Sequence, residues 1–396
     1  MKILFVSDTY YPHINGVYYF VCRVGPLLQE KGHQIKVIAP SDTLSAFIRT
    51  IDNLEVHGLP SFPVFLYANI RIPVLLGIKR RIRKIINDFK PDIIHIQDHF
   101  LISKAVVELN REFRLPIIAT NHFMPENITV LVKGKFWKQK LEAFLWKGFS
   151  RVFNQVDLVT TPTVTGVNII RPHIRSDIKT IALSSGVDLQ RFHPSNEMET
   201  VRKKYGIPEK PALLYVGRLD PEKRIEEIFA AIQLAGEKLD LCFIIVGKGT
   251  QSEELKTLAS TMGIADKVIF TGFVPDEELP VFYNIGRCFI IASIAELLSL
   301  VTLQAMASGM PVIAANAAAL TELVDGNGYL YEVGNIPALV QSIENVISDE
   351  SLYLQMRNRS LELIQKHDIQ YVVNAFEKLY IESIENKQMA HSSSMV

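Results

Sequence analysis

Tyr215-Val-Gly-Arg-Leu-Asp-Pro-Glu-Lys-Arg-Ile-Glu-Glu227 reads as a buried strand that leaves through a tight turn into a helix. Two cations, Arg218 and Lys223, stand in that turn. A helix start disfavours positive charge, so two cations there call for an anion beside them; the bland alternative is a pair of solvated surface charges. A second stretch, residues 293–313, holds Glu296 and Gln304 eight residues apart, ahead of Ala305-Met-Ala-Ser-Gly-Met-Pro-Val-Ile313.

Outward from these stretches the chain alternates short apolar runs with amphipathic ones, the pattern of βα units on a parallel sheet. Lys2–Ser7, Gln34–Ala39, Ile93–Gln97, Ile117–Thr120 and Asp157–Thr161 read as buried strands, with helical stretches such as 17–31 and 79–88 between them. A second series comprises Leu213–Val216, Leu241–Val246, Val268–Thr271, Cys288–Ala292 and Val312–Ala314. The reading is α/β, two Rossmann-like doubly wound domains with functional loops at the carboxyl ends of the strands. Its boundaries are 1–190, 191–368, a helix over 369–386 crossing back to the first domain, and a disordered tail over 387–396. Gly186-Val-Asp-Leu-Gln-Arg-Phe-His-Pro194 is expected to be the linker.

With 396 residues, the chain exceeds one ordinary core and suits two domains. Its 48% hydrophobic and 21% charged residues are ordinary for a globular enzyme. Cys22, Cys242 and Cys288 lie far apart without metal-ligand spacing, which argues against a disulfide framework or structural zinc and for a reducing compartment. The amino terminus has too short an apolar run for a signal peptide, and no stretch suits a membrane span. Charge is uneven: residues 1–195 carry 25 Lys and Arg against 15 Asp and Glu, the remainder 17 against 27. Either the basic half meets an anionic partner or the halves attract each other.

The candidate chemistry follows from residue types and places. Arg218 and Lys223 could neutralise a diphosphate leaving group. Gly16, in the loop after the first strand, would let backbone amides approach a phosphate. Glu296 could accept hydrogen bonds from sugar hydroxyls and Gln304 from a ribose, and apolar Leu297, Leu298 and Leu300 argue that Glu296 is not simply solvated. His122, just past a strand end, is either a ligand-facing group or a satisfied structural histidine. His95, Asp98 and His99 end another strand. Two basic stretches remain: Lys79-Arg80-Arg81-Ile-Arg-Lys84, with Ile78, Ile82, Ile85 and Phe89 on one helical face, and residues 133–151, where Lys133, Lys135, Lys138, Lys140, Lys147 and Arg151 interleave with Phe136, Trp137, Trp146 and Phe149. Such stretches can lie on an anionic bilayer, or pack their apolar face on the sheet. No nucleic-acid motif accompanies the charge.

Across nearly its whole length the chain resembles the retaining GT-B glycosyltransferases of family four. The resemblance rests on Phe5-Val-Ser-Asp-Thr-Tyr-Tyr-Pro-His-Ile-Asn-Gly-Val17, Lys90-Pro-Asp-Ile-Ile-His-Ile-Gln-Asp98, the 186–194 segment, Val216-Gly-Arg-Leu-Asp-Pro-Glu-Lys223 and Gln304-Ala-Met-Ala-Ser-Gly-Met-Pro-Val-Ile-Ala314. Asn15-Gly-Val17, Asn121-His-Phe-Met-Pro-Glu-Asn127 and the basic stretches look most like bacterial enzymes that glycosylate membrane lipids. This resemblance implies a nucleotide-sugar donor on the second domain, a lipid or lipid-linked acceptor on the first, and chemistry in the cleft. It implies a catalytic set of Arg218, Lys223, Glu296 and His122, and a donor set of Gly16, Gly217, Gly247, Val274, Ser299, Leu300 and Gln304. It further implies an acceptor or membrane side of Asp98, Lys79, Arg80, Arg81, Lys138 and Trp137, and no cofactor or metal. The expected partners are the nucleotide-sugar, the acceptor and an anionic membrane surface at the cytoplasmic side, with a monomeric or homodimeric chain and no nucleic acid.

Three positions depart from the family pattern. Gln304 stands where a second Glu is usual, Ser299 where a Gly is usual, and Ala318 where a Gly is frequent. A side chain at 299 is expected to block loop amides or to need a positive φ. The alternatives are therefore a catalytically weak paralogue that binds nucleotide or glycan as a partner subunit, and a soluble enzyme with a small-molecule acceptor.

Overall fold

The computed structural model describes residues 1–13, 15–64, 67–125 and 134–393. The chain divides into two units, Met1–Ser185 with Ile369–Val396, and Gly186–Asp368.

In the first unit the strands are β1 (Lys2–Val6), β2 (Gln34–Pro40), β3 (Phe47–Ile51), β4 (Leu54–Leu59), β5 (Ser61–Val64), β6 (Tyr67–Pro73), β7 (Ile93–Ile96), β8 (Ile117–Thr120), β9 (Leu158–Thr161) and β10 (Lys179–Ala182). Eight of them form one sheet, ordered β10-β9-β8-β7-β1-β2-β4-β3. Its pairings are parallel except at the edge, where β3 runs antiparallel to β4. Near-continuous Ile, Leu and Val in β1, β7 and β8 reflect burial on both faces, which parallel sheets require. The covering helices are α1 (Gly16–Glu30), α2 (Ile78–Phe89), α3 (Leu101–Phe113), α4 (Lys135–Phe153) and α5 (Val164–Ile170). On one face α2, α3 and α4 supply Ile82, Val106 and Phe149 to the core; on the other, α1 supplies Phe20 and Val24. The final helix, Ile369–Ser393, joins that second face through Val372, Val373, Phe376 and Tyr380.

The second unit has β11 (Ala212–Val216), β12 (Cys242–Val246), β13 (Val268–Gly272), β14 (Cys288–Ile291), β15 (Val312–Ala315) and β16 (Gly328–Tyr331), all parallel, in the order β13-β12-β11-β14-β15-β16. Its helices are α6 (Glu199–Tyr205), α7 (Ile225–Ala235), α8 (Ser252–Thr261), α9 (Leu279–Ile285), α10 (Leu300–Ala307), α11 (Ile336–Ser348) and α12 (Glu350–Leu363).

Both strand orders have a switch point. In the second unit β11 is followed outward by β12 and β13 on one side, while β14, β15 and β16 lie on the other. In the first unit β1 has β2 on one side and β7 on the other. Where neighbouring strands send their connections in opposite directions, a crevice opens at their carboxyl ends, and ligands of such sheets bind there. The loops that matter are therefore those after β11 and β14, and those after β1 and β7.

Two expectations are corrected, and one of the two alternatives left for α2 is found. Segment 186–194 is no free linker: Val187 and Phe192 are buried in the second unit, and the Val187 N–H donates to the His367 carbonyl at 2.8 Å. The tail expected to be disordered from 387 is helical through Ser393, with Lys387 paired to Asp157 at 2.7 Å. In α2 the apolar face (Ile78, Ile82, Ile86 and Phe89) packs into the core, because it is the only apolar stripe the helix has. A bilayer cannot be its partner.

Candidate functional site

At the switch point of the second unit, β11 ends at Val216 and the chain turns through Gly217 at φ +153°. A Cβ on Gly217 would come within 2.9 Å of the Tyr215 hydroxyl, and that hydroxyl donates to the Arg218 carbonyl at 2.7 Å. The loop after β12 lies directly against this turn. A Cβ on Gly247 would fall 1.9 Å from the Gly217 carbonyl oxygen, and one on Gly249 2.3 Å from Leu219 backbone. Only glycines let two backbones approach so closely. Leu219 N–H donates to the Lys248 carbonyl at 3.1 Å, and Gly247 N–H to the Gly272 carbonyl at 2.9 Å, which links the ends of β11, β12 and β13. Val274, two residues past that carbonyl, is buried in the core.

Pro221 and Glu222 then form a single 3₁₀ turn that ends at Lys223. The Lys223 ammonium donates to Glu296 Oε1 at 2.7 Å, and the two side chains are only 14% and 13% exposed. Glu296 comes from the loop after β14, so the pair spans the switch point. That loop is fastened at both sides, by Ile294 N–H to the Glu222 carbonyl at 3.3 Å and by Ala319 N–H to the Glu296 carbonyl at 3.1 Å. Arg218 is different: it is 70% exposed and bonds the carboxylates of Asp220 and Glu222, the latter at 2.9 Å. Asp220 is in turn held by Thr250, whose amide and hydroxyl donate to its Oδ1 at 3.0 and 2.9 Å. Burial alone would raise the Asp220 carboxyl, but the Thr250 bonds and the charges of Arg218 and Lys223 outweigh it and hold it below its usual range. The sequence reading did not single out Asp220 or Thr250. The Asp220-Pro221 turn start directly after the strand was the available signal.

Ser299 is the N-cap of α10 at φ −89°, so the expectation that a side chain there needs a positive φ is corrected. Its hydroxyl accepts from the Thr302 N–H at 3.3 Å and from the Thr302 hydroxyl at 2.7 Å. Ser thereby occupies one of the helix-start donors that a Gly would leave open. Leu300 opens the helix and is half-buried. Gln304, one turn further, is buried, and its Oε1 accepts from the Tyr283 hydroxyl at 2.8 Å. Ala318 does adopt a left-handed backbone, φ +47°.

The first unit holds the other predicted residues. Gly16 opens α1 behind an Asn15 cap, and a Cβ there would meet nothing within 4 Å. Among the described residues no packing contact demands glycine there. His122 donates from Nε2 to Gln97 Oε1 at 3.0 Å, and its ring lies 5.3 Å from that of Phe20. Burial pushes the imidazole down to about 4 despite the opposing charge of Asp98. The place given to Asp98 on the acceptor side is corrected. Its oxygens accept from the Asp8 N–H at 2.7 Å, the Ser103 hydroxyl at 2.7 Å and the Phe100 N–H at 3.4 Å, so it serves as a buried clamp. His95 is likewise structural, bonded to Tyr380 and Thr120.

Of the basic residues, Lys79 pairs with Glu108 at 2.7 Å, while Arg80 and Arg81 are exposed. On α4, Leu145, Phe149, Val152 and Phe153 face the core. Phe136, Trp137 and Phe144 are 59%, 63% and 72% exposed on the opposite side, along with Lys140, whose ammonium lies 4.4 Å from the Phe136 ring centre. Lys138 is exposed; Lys133, Glu126 and Asn127 lie outside the described residues. Among the described residues no helix is long and apolar enough to cross a membrane, and no group of three or more His, Cys, Asp or Glu could hold a metal ion.

Residues 14–191 match the family described as Glycosyltransferase Family 4, and residues 197–362 that described as Glycosyl transferases group 1. An alpha-monoglucosyldiacylglycerol synthase of Streptococcus pneumoniae is 26% identical over 84% of this chain and 75% of its own length. A sulfoquinovosyl transferase of Arabidopsis thaliana is 25% identical over 92% of this chain and 70% of its own. Among solved structures, a sucrose-phosphate synthase from Thermosynechococcus elongatus superposes with a TM-score of 0.79 at 19% identity, covering 96% of this chain and 98% of the other.

Proposed function

Because the chain belongs to the family-four glycosyltransferases and has their GT-B fold, we propose that it transfers a hexose from a UDP- or GDP-linked donor to a hydroxyl of a lipid or lipid-linked acceptor, with the α configuration retained and without a metal. The observation that supports this reading best is the Lys223–Glu296 pair at the switch point of the second unit, beside the glycine-built turn after β11. It sets a cation for phosphate next to a carboxylate for sugar hydroxyls. In the reaction the bond between the sugar C1 and the diphosphate oxygen breaks, and the electron pair leaves with the nucleoside diphosphate. Arg218 and Lys223 stabilise the charge that builds there. The acceptor oxygen bonds C1 on the same face and gives its proton to the departing phosphate. No protein nucleophile takes part, in contrast to the paired carboxylates of retaining hydrolases.

The lipid half of the proposal draws on the relative named an alpha-monoglucosyldiacylglycerol synthase, and on the outer surface of α4. Helices that return antiparallel to their strands start at the carboxyl edge of the sheet, so the starts of α2, α3 and α4 share one rim. That rim bears Leu75 and Leu76, 60% and 90% exposed, with Phe136, Trp137 and several lysines and arginines. Apolar side chains ringed by cations suit an anionic bilayer at the membrane face where the acceptor resides.

The test measures nucleotide release from a panel of UDP- and GDP-sugars, with and without anionic liposomes, alongside Glu296→Ala. Lipid-dependent release from one donor, lost in the variant and indifferent to EDTA, is expected. Release that ignores liposomes and accompanies a small-molecule acceptor would overturn the lipid half. A second reading, a weakly active nucleotide-binding subunit, is favoured by one observation: Gln304 Oε1 is already engaged by Tyr283. It predicts nucleotide binding without release from any donor.

A further inference from the structure

The first unit also has a switch point, between β1 and β7, and the residue that directly follows β7 there is Gln97. It is fully buried at 0% exposure, an unusual place for an amide. Its Oε1 accepts a hydrogen bond from His122 Nε2 at 3.0 Å, and its own Nε2 has no hydrogen-bond partner among the described residues. Buried amide nitrogens are nearly always matched, so an orphan at a ligand-prone edge needs a reason. His122 follows β8, the neighbour of β7, with Ile96 in register with Ala119. The ring is thus pinned between the Gln97 amide and the Phe20 ring.

An amide oxygen can only accept, so the His122 nitrogen bonded to it must carry the ring proton. In a neutral imidazole the other nitrogen, Nδ1, is then an acceptor, and it makes no hydrogen bond among the described residues. We infer that Gln97 is a positioning residue, which locks His122 as the Nε2–H tautomer so that Nδ1 accepts a hydrogen bond from a substrate hydroxyl. The inference rests on the transferase reading above, which supplies a hydroxyl-rich sugar and acceptor. The complementary group is a hydroxyl: phosphate or carboxylate oxygens have no proton to give a neutral Nδ1. Burial keeps the ring neutral near pH 7, and the titratable groups around it are Asp98, which favours its charge, and His95, which opposes it.

Two substitutions and one spectrum test this. Nitrogen-15 NMR of the intact wild-type protein should show His122 neutral and protonated on Nε2 at pH 7, with the assignment made by its loss in His122→Ala. Finding the proton on Nδ1 would overturn the inference whatever the activity. Gln97→Met should lower kcat by a factor on the order of 10 to 100 with the donor KM unchanged, and should cause no further loss in His122→Ala. Gln97→Glu puts a carboxylate against the ring and stabilises its charged form, in which Nδ1 donates. Its activity should therefore gain an acid limb, low at pH 6 and rising with pH, where the wild type is flat. A folded Gln97→Glu with wild-type rate and a flat profile would refute the positioning role. Full activity in His122→Ala would instead sink the role of His122 in the transferase reading, while the tautomer spectrum would still decide the Gln97 lock.

Discussion

Removing both partners of the Lys223–Glu296 pair should destabilise the second unit by about 2 kcal/mol less than the sum of the two single removals. The ammonium and carboxylate lie 2.7 Å apart, each about one-seventh exposed. At an effective dielectric near 20, unit charges at about 4 Å attract by roughly 4 kcal/mol. Desolvation of both groups cancels much of this, and measured couplings between contacting residues run from about 0.5 to 3 kcal/mol. A coupling near 2 kcal/mol is expected for a pair this enclosed. Lys223→Met strands a carboxylate and Glu296→Gln strands an ammonium, and stripping one partner from a fully buried pair costs about 3–5 kcal/mol. With the residual exposure here, single losses of about 2–3 kcal/mol are expected.

The assay is urea unfolding of the full chain for wild type, both singles and the double, compared as differences. In a unit of 150–250 residues each kcal/mol also moves Tm by about 2–4 °C, so the singles should lose roughly 4–12 °C. Nucleotide provides an internal control. A diphosphate can replace the missing carboxylate beside Lys223, so UDP or GDP should recover more of the lost stability in Glu296→Gln than in Lys223→Met. A coupling below about 0.5 kcal/mol, with singles that simply add, would refute the claim that this pair is a preorganised, shielded unit.

Arg218→Ala should cut transfer by a factor on the order of 10²–10³ while leaving unfolding within about 0.5 kcal/mol, since the guanidinium is 70% exposed; a loss of stability instead of rate would make Arg218 structural. Ala318→Gly should raise stability by about 0.5–1 kcal/mol, because a left-handed alanine costs roughly 1–2 kcal/mol and the added unfolded-chain freedom of glycine returns only part of it; a lowered Tm would show that no strain is held there. His99 is pushed down to about 4 by burial among Phe100, Phe123 and Phe149. Between about pH 6.5 and 4 the unfolded chain binds a proton there that the folded one refuses. Its contribution is therefore complete above pH 6.5 and falls by about 1.4 kcal/mol per pH unit on acidification. Asp8, raised by burial and by Asp98, works in the opposite sense. It is common to both proteins in a comparison with His99→Phe, which should show the shallower acid slope; equal slopes would refute the assignment.

The doubly wound units were legible because buried parallel strands are written as Ile-Leu-Val runs, as in Ile93-Ile-His-Ile96 and Cys242-Phe-Ile-Ile-Val246. Phe47–Ile51 was not, because this short edge strand is exposed at three successive positions and shows no apolar-polar alternation. Its hairpin partner, Leu54–Leu59, follows Asp52 and Asn53, both at positive φ. Asp-Asn is tolerated in that left-handed pair, and it was the missed signal. The site was legible as residue types at strand ends; its contacts were not. No spacing rule tells that Lys223 would meet Glu296 across 73 positions, or that Asp98 would spend its oxygens on Asp8 and Ser103. Those follow from strand order, which periodicity alone does not fix. The two alternatives for α2 stayed open for the opposite reason: a basic amphipathic helix looks the same in sequence whether its apolar stripe meets lipid or its own core.

The three departures from the family pattern do not behave alike, and the difference bears on whether the site has decayed. Ser299 takes an ordinary extended φ and caps α10 with two bonds, so its hydroxyl stabilises the helix that carries Gln304. Gln304 is met by the buried Tyr283 hydroxyl, and an amide oxygen serves it without the cost of burying a second carboxylate. Each of these changes is matched by a neighbour. Ala318 alone remains strained, and it sits next to Ala319, whose amide holds the Glu296 loop. Drift without selection leaves mismatches scattered. Here the two buried positions are satisfied, and the one mismatch lies where it presses on the loop of the catalytic candidate, which is where stored backbone strain tends to persist for function. Ala318→Gly therefore separates the two accounts: under decay it should improve stability and leave transfer untouched, whereas strain held for positioning Glu296 requires that the stabilised variant transfer more slowly.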